Sequence, residues 1–374
     1  AGNGDHQGFG RVGGDGVMAK LGEICAFQSG GTPSKNKPEY FGGEIPWIST
    51  TALNGGKINE TDAVAWITPK AIRESAAKIV PANSIMIGTR VGIGKVAINT
   101  VEMSTSQDVI SLINIDEDKW YKPYLCKLLL SKKDYFNSQA RGATIKGIKI
   151  DVVANIDVPE IDYATQRKVA ATLNKIDTLI VLRKQQLEKL DELVKARFVE
   201  MFGDPIANPK QYKCYTVDDI IQFQGGSQPD KKFFEYEKTP DNIRLIQIRD
   251  YRTDKFATYI PTTMAKRFCT AEDIMIGRYG PPIFQILQGL EGSFNVALMK
   301  ATPKRGNREF IRWFLKQDCL LHYLEGLSKR TAGQDGIQID KLKAYPFPYP
   351  PDELQNEFAA FVECIDRQKQ TVQQ

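Results

Sequence analysis

A chain of 374 residues, 42% hydrophobic and 25% charged, has the make-up of one large folded domain or two ordinary ones. That composition excludes a disordered or collagen-like chain, and no run of about 18 apolar residues is present to cross a membrane as a helix. A formal charge of +5 and a pI near 8.7 permit a polyanionic partner without requiring one.

Residues 1–17, AGNGDHQGFGRVGGDGV, read as an unstructured leader or a cloning remnant, with Met18 the natural start. Gly8, Gly10 and Gly13 imitate a dinucleotide loop by glycine density alone, because no strand pattern precedes them. A first globular domain is expected over residues 18–160. It opens with a Gly-rich entry loop, SGGTPSKNKPEYFGG, followed by strand-like runs at 45–49, 84–88 and 109–115. A helical stretch at 122–131 comes next, and then a mixed segment at 149–158.

The stretch Tyr163–Met201 contains neither Gly nor Pro. Val169, Leu173, Ile176, Ile180, Leu187, Leu190, Val194 and Met201 fall at steps of three, four and seven, a heptad seam broken at Arg183 and Arg197. Asp162 is a fitting N-cap and Gly203 a fitting C-cap. A spacer helix over 161–203 follows, and its narrow apolar seam calls for a partner helix.

The remainder repeats the first half. Residues 143–177 align without gaps on 332–366 at a shift of 189, with eleven identities including Gly147/Gly336, Pro159/Pro348, Gln166/Gln355 and Asp177/Asp366. About two identities are expected from ordinary usage. The same shift pairs the IMIG strands at 85–88 and 274–277, while the entry loops pair at a shift of 196. This is domain duplication. A second domain is expected over 204–350, with strands at 243–248, 273–277 and 296–301, a helix at 309–320 and a mixed segment at 338–347. A shorter seam helix over 351–374 carries Phe358, Val362 and Ile365. The predicted class is α+β: two duplicated domains at the ends of long, antiparallel helices, related by an approximate two-fold.

The chemistry inventory is thin. His6 lies in the leader and His322 stands alone. There is no H-E-x-x-H and no P-loop. The S-x-x-K match at Ser34 and Lys37 lacks its partner motifs. No Asp/Asn-Pro-Pro-aromatic tetrapeptide of the amino-methyltransferases occurs, Asn208-Pro209-Lys210 being the nearest. Six scattered cysteines without a CxxC pair suggest buried thiols, and no metal site is expected. Three cationic sets recur instead. The entry loops carry Thr32, Ser34, Lys35 and Lys37 in one copy and Gln228, Lys231 and Lys232 in the other. Residues after the IMIG strands are Arg90 and Lys95, against Arg278 and Tyr279, with Arg249 after the second copy's first strand. Arg141, Thr144 and Lys146 precede Gly147 as Lys329, Arg330 and Gln334 precede Gly336. Lysines can neutralise phosphates, arginines can grip a guanine edge, and the entry glycines would let backbone approach a groove.

The duplicated blocks GIKIDVVANIDVPEIDYATQRKVAATLNKID and GIQIDKLKAYPFPYPPDELQNEFAAFVECID resemble the entry to the helices of type I restriction–modification specificity subunits. LGEICAFQSGGTP, VDDIIQFQGGSQP and MFGDP are similar to that family as well, and the likeness runs from about residue 18 to 374. The resemblance implies two target recognition domains, each reading half of a split site in double-stranded DNA. It implies helices that set the spacing and dock two methyltransferase (modification) subunits. Those partners would hold S-adenosylmethionine, and restriction subunits would use ATP and magnesium. No cofactor, no catalysis and no membrane association is expected of this chain, and its compartment would be the cytoplasm. A non-catalytic adaptor holding two proteins is the alternative.

Overall fold

The computed structural model describes residues 17–142, 144–279, 283–328 and 336–373. The expected leader, Lys329, Arg330 and Gln334 lie outside the described residues, apart from Val17. The chain divides between Ile180 and Val181 into two compact units, so the boundary falls inside the long helix rather than at either of its ends.

In the first unit, Met18–Lys20 pairs antiparallel with Asp157–Pro159, closing the domain on itself. A five-stranded sheet runs in the order Ala26–Ser29, Val109–Ile113, Ile85–Gly88, Val96–Asn99, Lys57–Ile58. All four IMIG residues are buried, as a strand covered on both faces requires. A second sheet runs Ala65–Ile67, Phe41–Ile48, Met103–Thr105, Ile79–Val80, with Trp47 facing Ser104 in a parallel pair. Helix Lys122–Ser131 buries Tyr124, Leu125, Cys126 and Leu129.

The second unit repeats this order. Lys213–Thr216 pairs with Pro346–Tyr349. One sheet runs Ile221–Gly225, Leu298–Pro303, Ile274–Gly277, Gln285–Gln288. The other runs Tyr259–Pro261, Asn242–Ile246, Gly292–Phe294, Phe268–Cys269, again with one parallel pair, Leu245 facing Ser293. The duplicated α+β architecture is therefore shared strand for strand, with one extra edge strand, Lys57–Ile58, in the first unit. The helix expected over 309–320 is instead two, Arg308–Leu315 and Asp318–Ser328. Both bury apolar side chains in one core, and the chain turns at Lys316 to permit it.

The long helix spans Tyr163–Phe202, 40 residues and about 60 Å. Asp162 caps it, accepting the Thr165 amide at 2.9 Å, and hydrogen bonds from Thr165 hold its carboxyl below the usual range. Gly203 ends it at φ +80°, where a Cβ would also strike Pro209. Within the second unit, helix Asp352–Gln373 lies antiparallel to the last turns. Arg197 pairs with Glu357 at 3.0 Å and Asp191 with Lys369 at 2.7 Å. Phe198, Phe202, Phe310 and Phe358 pack there with centroids 4.7–5.6 Å apart. Val194, Phe358, Val362 and Ile365 are buried, and Leu187 and Leu190 are half-buried. Val169 is half-buried against the first unit's core.

The seam is not covered along its whole length. Leu173, Ile176 and Ile180 are 39%, 46% and 48% exposed. The C-terminal helix has 22 residues, about half the length of the one it packs on. The cysteines also differ from expectation: Cys126 and Cys269 are buried, but Cys214 and Cys364 are exposed, and all six are free thiols.

One device recurs in both units. Gln166 and Gln355 are buried at the start of each helix. The Gln166 carbonyl accepts the Tyr121 amide, and its NH2 donates to the carbonyls of Lys119 and Ile161. Gln355 accepts the Asn307 amide and donates to the Pro350 carbonyl. Each glutamine satisfies backbone groups that would otherwise be buried unpaired, and so pins its helix to its own domain.

Candidate nucleic-acid interface

The cationic sets expected from sequence fall on separate loops, and backbone hydrogen bonds join those loops into one edge. In the first unit, Gly30 and Gly31 of the entry loop donate to Val109 and Thr105 at 3.0 and 2.9 Å. The turn between those residues is bonded to the next loop, Thr89 donating to Asp108 at 2.8 Å. That loop in turn accepts Ile148, which donates to the Thr89 carbonyl at 2.8 Å, while Arg141 and Gly147 bridge each other. Entry loop, strand turn, hairpin loop and returning loop are thus consecutive neighbours.

The second unit repeats the chain of bonds. Gly226 and Ser227 donate to Leu298 and Phe294, Arg278 donates to Ala297, and Ile337 donates to Arg278. All four of these acceptors are the shift-189 counterparts of those in the first unit. Tyr279 and Gly336 bridge as well.

The glycines serve a different purpose from the one read in sequence. A Cβ on Gly30 would lie 2.2 Å from the Ser106 carbonyl oxygen, and one on Gly226 1.9 Å from that of Asn295. They let the entry loop lie against the protein's own strand turn, rather than opening it to a groove.

On this scaffold Thr32, Ser34, Lys35, Lys37, Arg90, Lys95, Arg141, Thr144 and Lys146 are all exposed. In the second unit Gln228, Lys231, Lys232, Arg249 and Tyr279 are exposed and Arg278 is half-buried. Among the described residues, Lys35, Lys95, Arg141, Lys146 and Lys231 have no ion-pair partner, so their charge faces solvent. Lys37 is held by the Tyr40 hydroxyl at 2.9 Å, which raises its pKa and keeps it cationic. Arg249 donates to Thr258 Oγ1 at 2.9 Å, a bond that orients it. Lys232 stands over the Phe233 ring at 5.1 Å, and Tyr236 is 73% exposed.

Asp108, beside Arg90, was not singled out in sequence. The motif nearest the methyltransferase tetrapeptide is a turn: Asn208 has φ +42° and binds Tyr212 through both side-chain atoms. Among the described residues no group of three or more His, Cys, Asp or Glu could hold a metal, and no helix is long and apolar enough to cross a membrane. The arrangement offers exposed cationic and hydrogen-bonding side chains along one edge of each unit, suited to phosphates and to the exposed edges of bases.

Residues 15–192 match the family model described as the type I restriction modification DNA specificity domain. The chain is 29% identical over 252 residues to the type I restriction enzyme MjaIX specificity subunit of Methanocaldococcus jannaschii, covering 62% of this chain and 58% of that one. It is 30% identical over 192 residues to the EcoR124I/EcoR124II specificity subunit of Escherichia coli, covering 46% of each. The chain thus spans about half the length of the curated relatives it matches. A crystal structure of a type I restriction–modification S subunit from M. genitalium superposes with a TM-score of 0.54 at 16% identity, over 97% of this chain and 93% of that one. A structure from work on assembly and conformational transition of the type I system gives 0.56 at 18%, over 96% and 92%. At such identities the two superpositions establish the fold.

Proposed function

We propose, for a chain that belongs among the type I restriction–modification specificity subunits, that it is the part of such a complex that reads DNA. Each unit reads one half of a split site through its four-loop edge. The long helix sets the spacing between the halves, and its exposed apolar side chains receive two modification subunits. Chemistry is left to those partners, which bind S-adenosylmethionine, and to restriction subunits that use ATP and magnesium. This chain performs no catalysis.

The observation that carries the reading is the repetition of one hydrogen-bonded loop edge in both units with different side chains displayed on it. A scaffold kept while its displayed groups change suits two sites of one kind and different sequence. A protein-binding adaptor gives no reason for an unpaired lysine on the entry loop of both copies, Lys35 in one and Lys231 in the other. The test is the salt dependence of duplex binding by the chain with its modification subunits. With several phosphates neutralised, the log of the affinity should fall against log salt with a slope of about −0.9 per contact, hence steeper than about −4. A flat response would favour the adaptor.

A further inference from the structure

The loop edge contains one position where the copies match in backbone and differ in chemistry. In the first unit, a Cβ on Gly147 would come within 3.0 Å of Arg90 Cγ, so the arginine stem lies directly across the glycine. In the second, a Cβ on Gly336 would come within 3.0 Å of Tyr279 Cε1, so the tyrosine ring occupies the same place. Arg90 and Tyr279 are shift-189 counterparts, as are the two glycines.

The neighbours have changed in step. Asp108, which sits 3.7 Å from Arg90, is replaced by Ala297 in the second copy. Thr89, whose hydroxyl is bound to the Asp108 carbonyl, is replaced by Arg278. The Arg278 guanidinium stands over the Tyr279 ring at 5.2 Å and reaches the Val296 carbonyl at 3.4 Å, with its Nε buried and unpartnered. Each unit therefore carries a guanidinium here, Arg90 or Arg278, placed on consecutive rather than equivalent positions.

We propose that this glycine-backed site is the paired specificity-determining position of the two units, and that each guanidinium reads a guanine edge in its half-site. The proposal rests on the DNA-reading function above. The Arg90 side chain is 53% exposed, and its contact with Asp108 is long and partly solvated. Such a pair contributes little, so it orients the guanidinium without occupying it. Packing across a glycine, or against a tyrosine ring, restricts a long side chain before binding, which sharpens discrimination between bases. Bidentate contact from arginine to guanine O6 and N7 is the chemistry that position offers.

The experiment is selection of duplexes from a random-sequence pool by the full chain with its modification subunits, followed by sequencing. The variants are Arg90→Ala, Arg90→Lys, Gly147→Val and Arg278→Ala. Gly147→Val pushes the Arg90 stem aside without altering charge. The expected result is that the three first-unit changes erase preference for guanine at the same base pair of one half-site, by about tenfold or more, and leave the other half untouched. Arg278→Ala should do the converse. Arg90→Lys keeps the positive charge, so its loss of preference alongside Arg90→Ala separates base reading from phosphate contact. An even loss over both halves, or an unchanged sequence, would overturn the proposal and assign these arginines to phosphate or to the scaffold. Failure of the unaltered chain to enrich any sequence would sink the DNA-reading function itself, and this position with it.

Discussion

The two units keep the same backbone bonds along the loop edge, yet the same register position is filled by Arg90 in one and Tyr279 in the other. The contrast extends to the helices. Gln166 and Gln355 do the same work in the same way, whereas Val169 is half-buried where its counterpart Phe358 is fully buried against the rings of Phe198 and Phe202. What the copies share holds a domain together or fixes a helix to it. What they do not share either faces outward or answers to the helix packed beside it. Duplication followed by divergence under those two constraints accounts for the pattern.

The sharpest way to break the comparison is at its least symmetrical point. Phe358→Ala should cost about 3–5 kcal/mol, because it empties a closed aromatic cluster. Val169→Ala, at the counterpart position, should cost about 1 kcal/mol. Urea unfolding followed by tryptophan fluorescence distinguishes the units, since Trp47, Trp66 and Trp120 lie in the first and Trp313 in the second. Equal losses would mean that the second helix adds no packing of its own.

The glutamines should behave alike. Gln166→Leu and Gln355→Leu each strand buried backbone groups, and each should cost about 2–3 kcal/mol in its own unit. A large loss in one and none in the other would show that the shared sequence is not a shared device.

Lys316 sharpens the comparison through pH. Burial, then the nearby Arg312, lowers its pKa from the ordinary 10.5 to about 8. The folded state thus sheds a proton that the unfolded chain keeps between about pH 8 and 10.5. Stability from this group therefore rises over that window and is at its lowest below pH 8. Lys316→Met should raise the melting temperature at pH 7 and flatten the alkaline rise. A melting curve that keeps its alkaline rise in the variant would move the effect to another group. The smallest effect belongs to the uncovered seam: Ile176→Ser should change stability by less than about 0.5 kcal/mol, because the side chain is already half in water.

Much of this was legible in the sequence. Periodicity gave the long helix to within a residue of its observed end, Asp162 and Gly203 marked its caps, and the shift of 189 turned out to be the shift of the hydrogen bonds. Other features were not legible, for physical reasons. The break at Lys316 carries neither Gly nor Pro, and only the common core shows why two short helices pack where one was expected. The heptad pattern could not reveal that Leu173, Ile176 and Ile180 lack cover, because periodicity reports a face and not its partner. The entry glycines look alike whether a loop approaches a ligand or its own sheet, and only the positions of Ser106 and Asn295 decide.

The most direct test of the central claim is to map methylated adenines in the genome of cells making this chain together with its modification subunits, and of matched cells lacking it. Two defined blocks of bases separated by a fixed run of unspecified ones, present only with the chain, are what the proposed function predicts. A single unbroken motif, or the same methylation without the chain, would contradict the account.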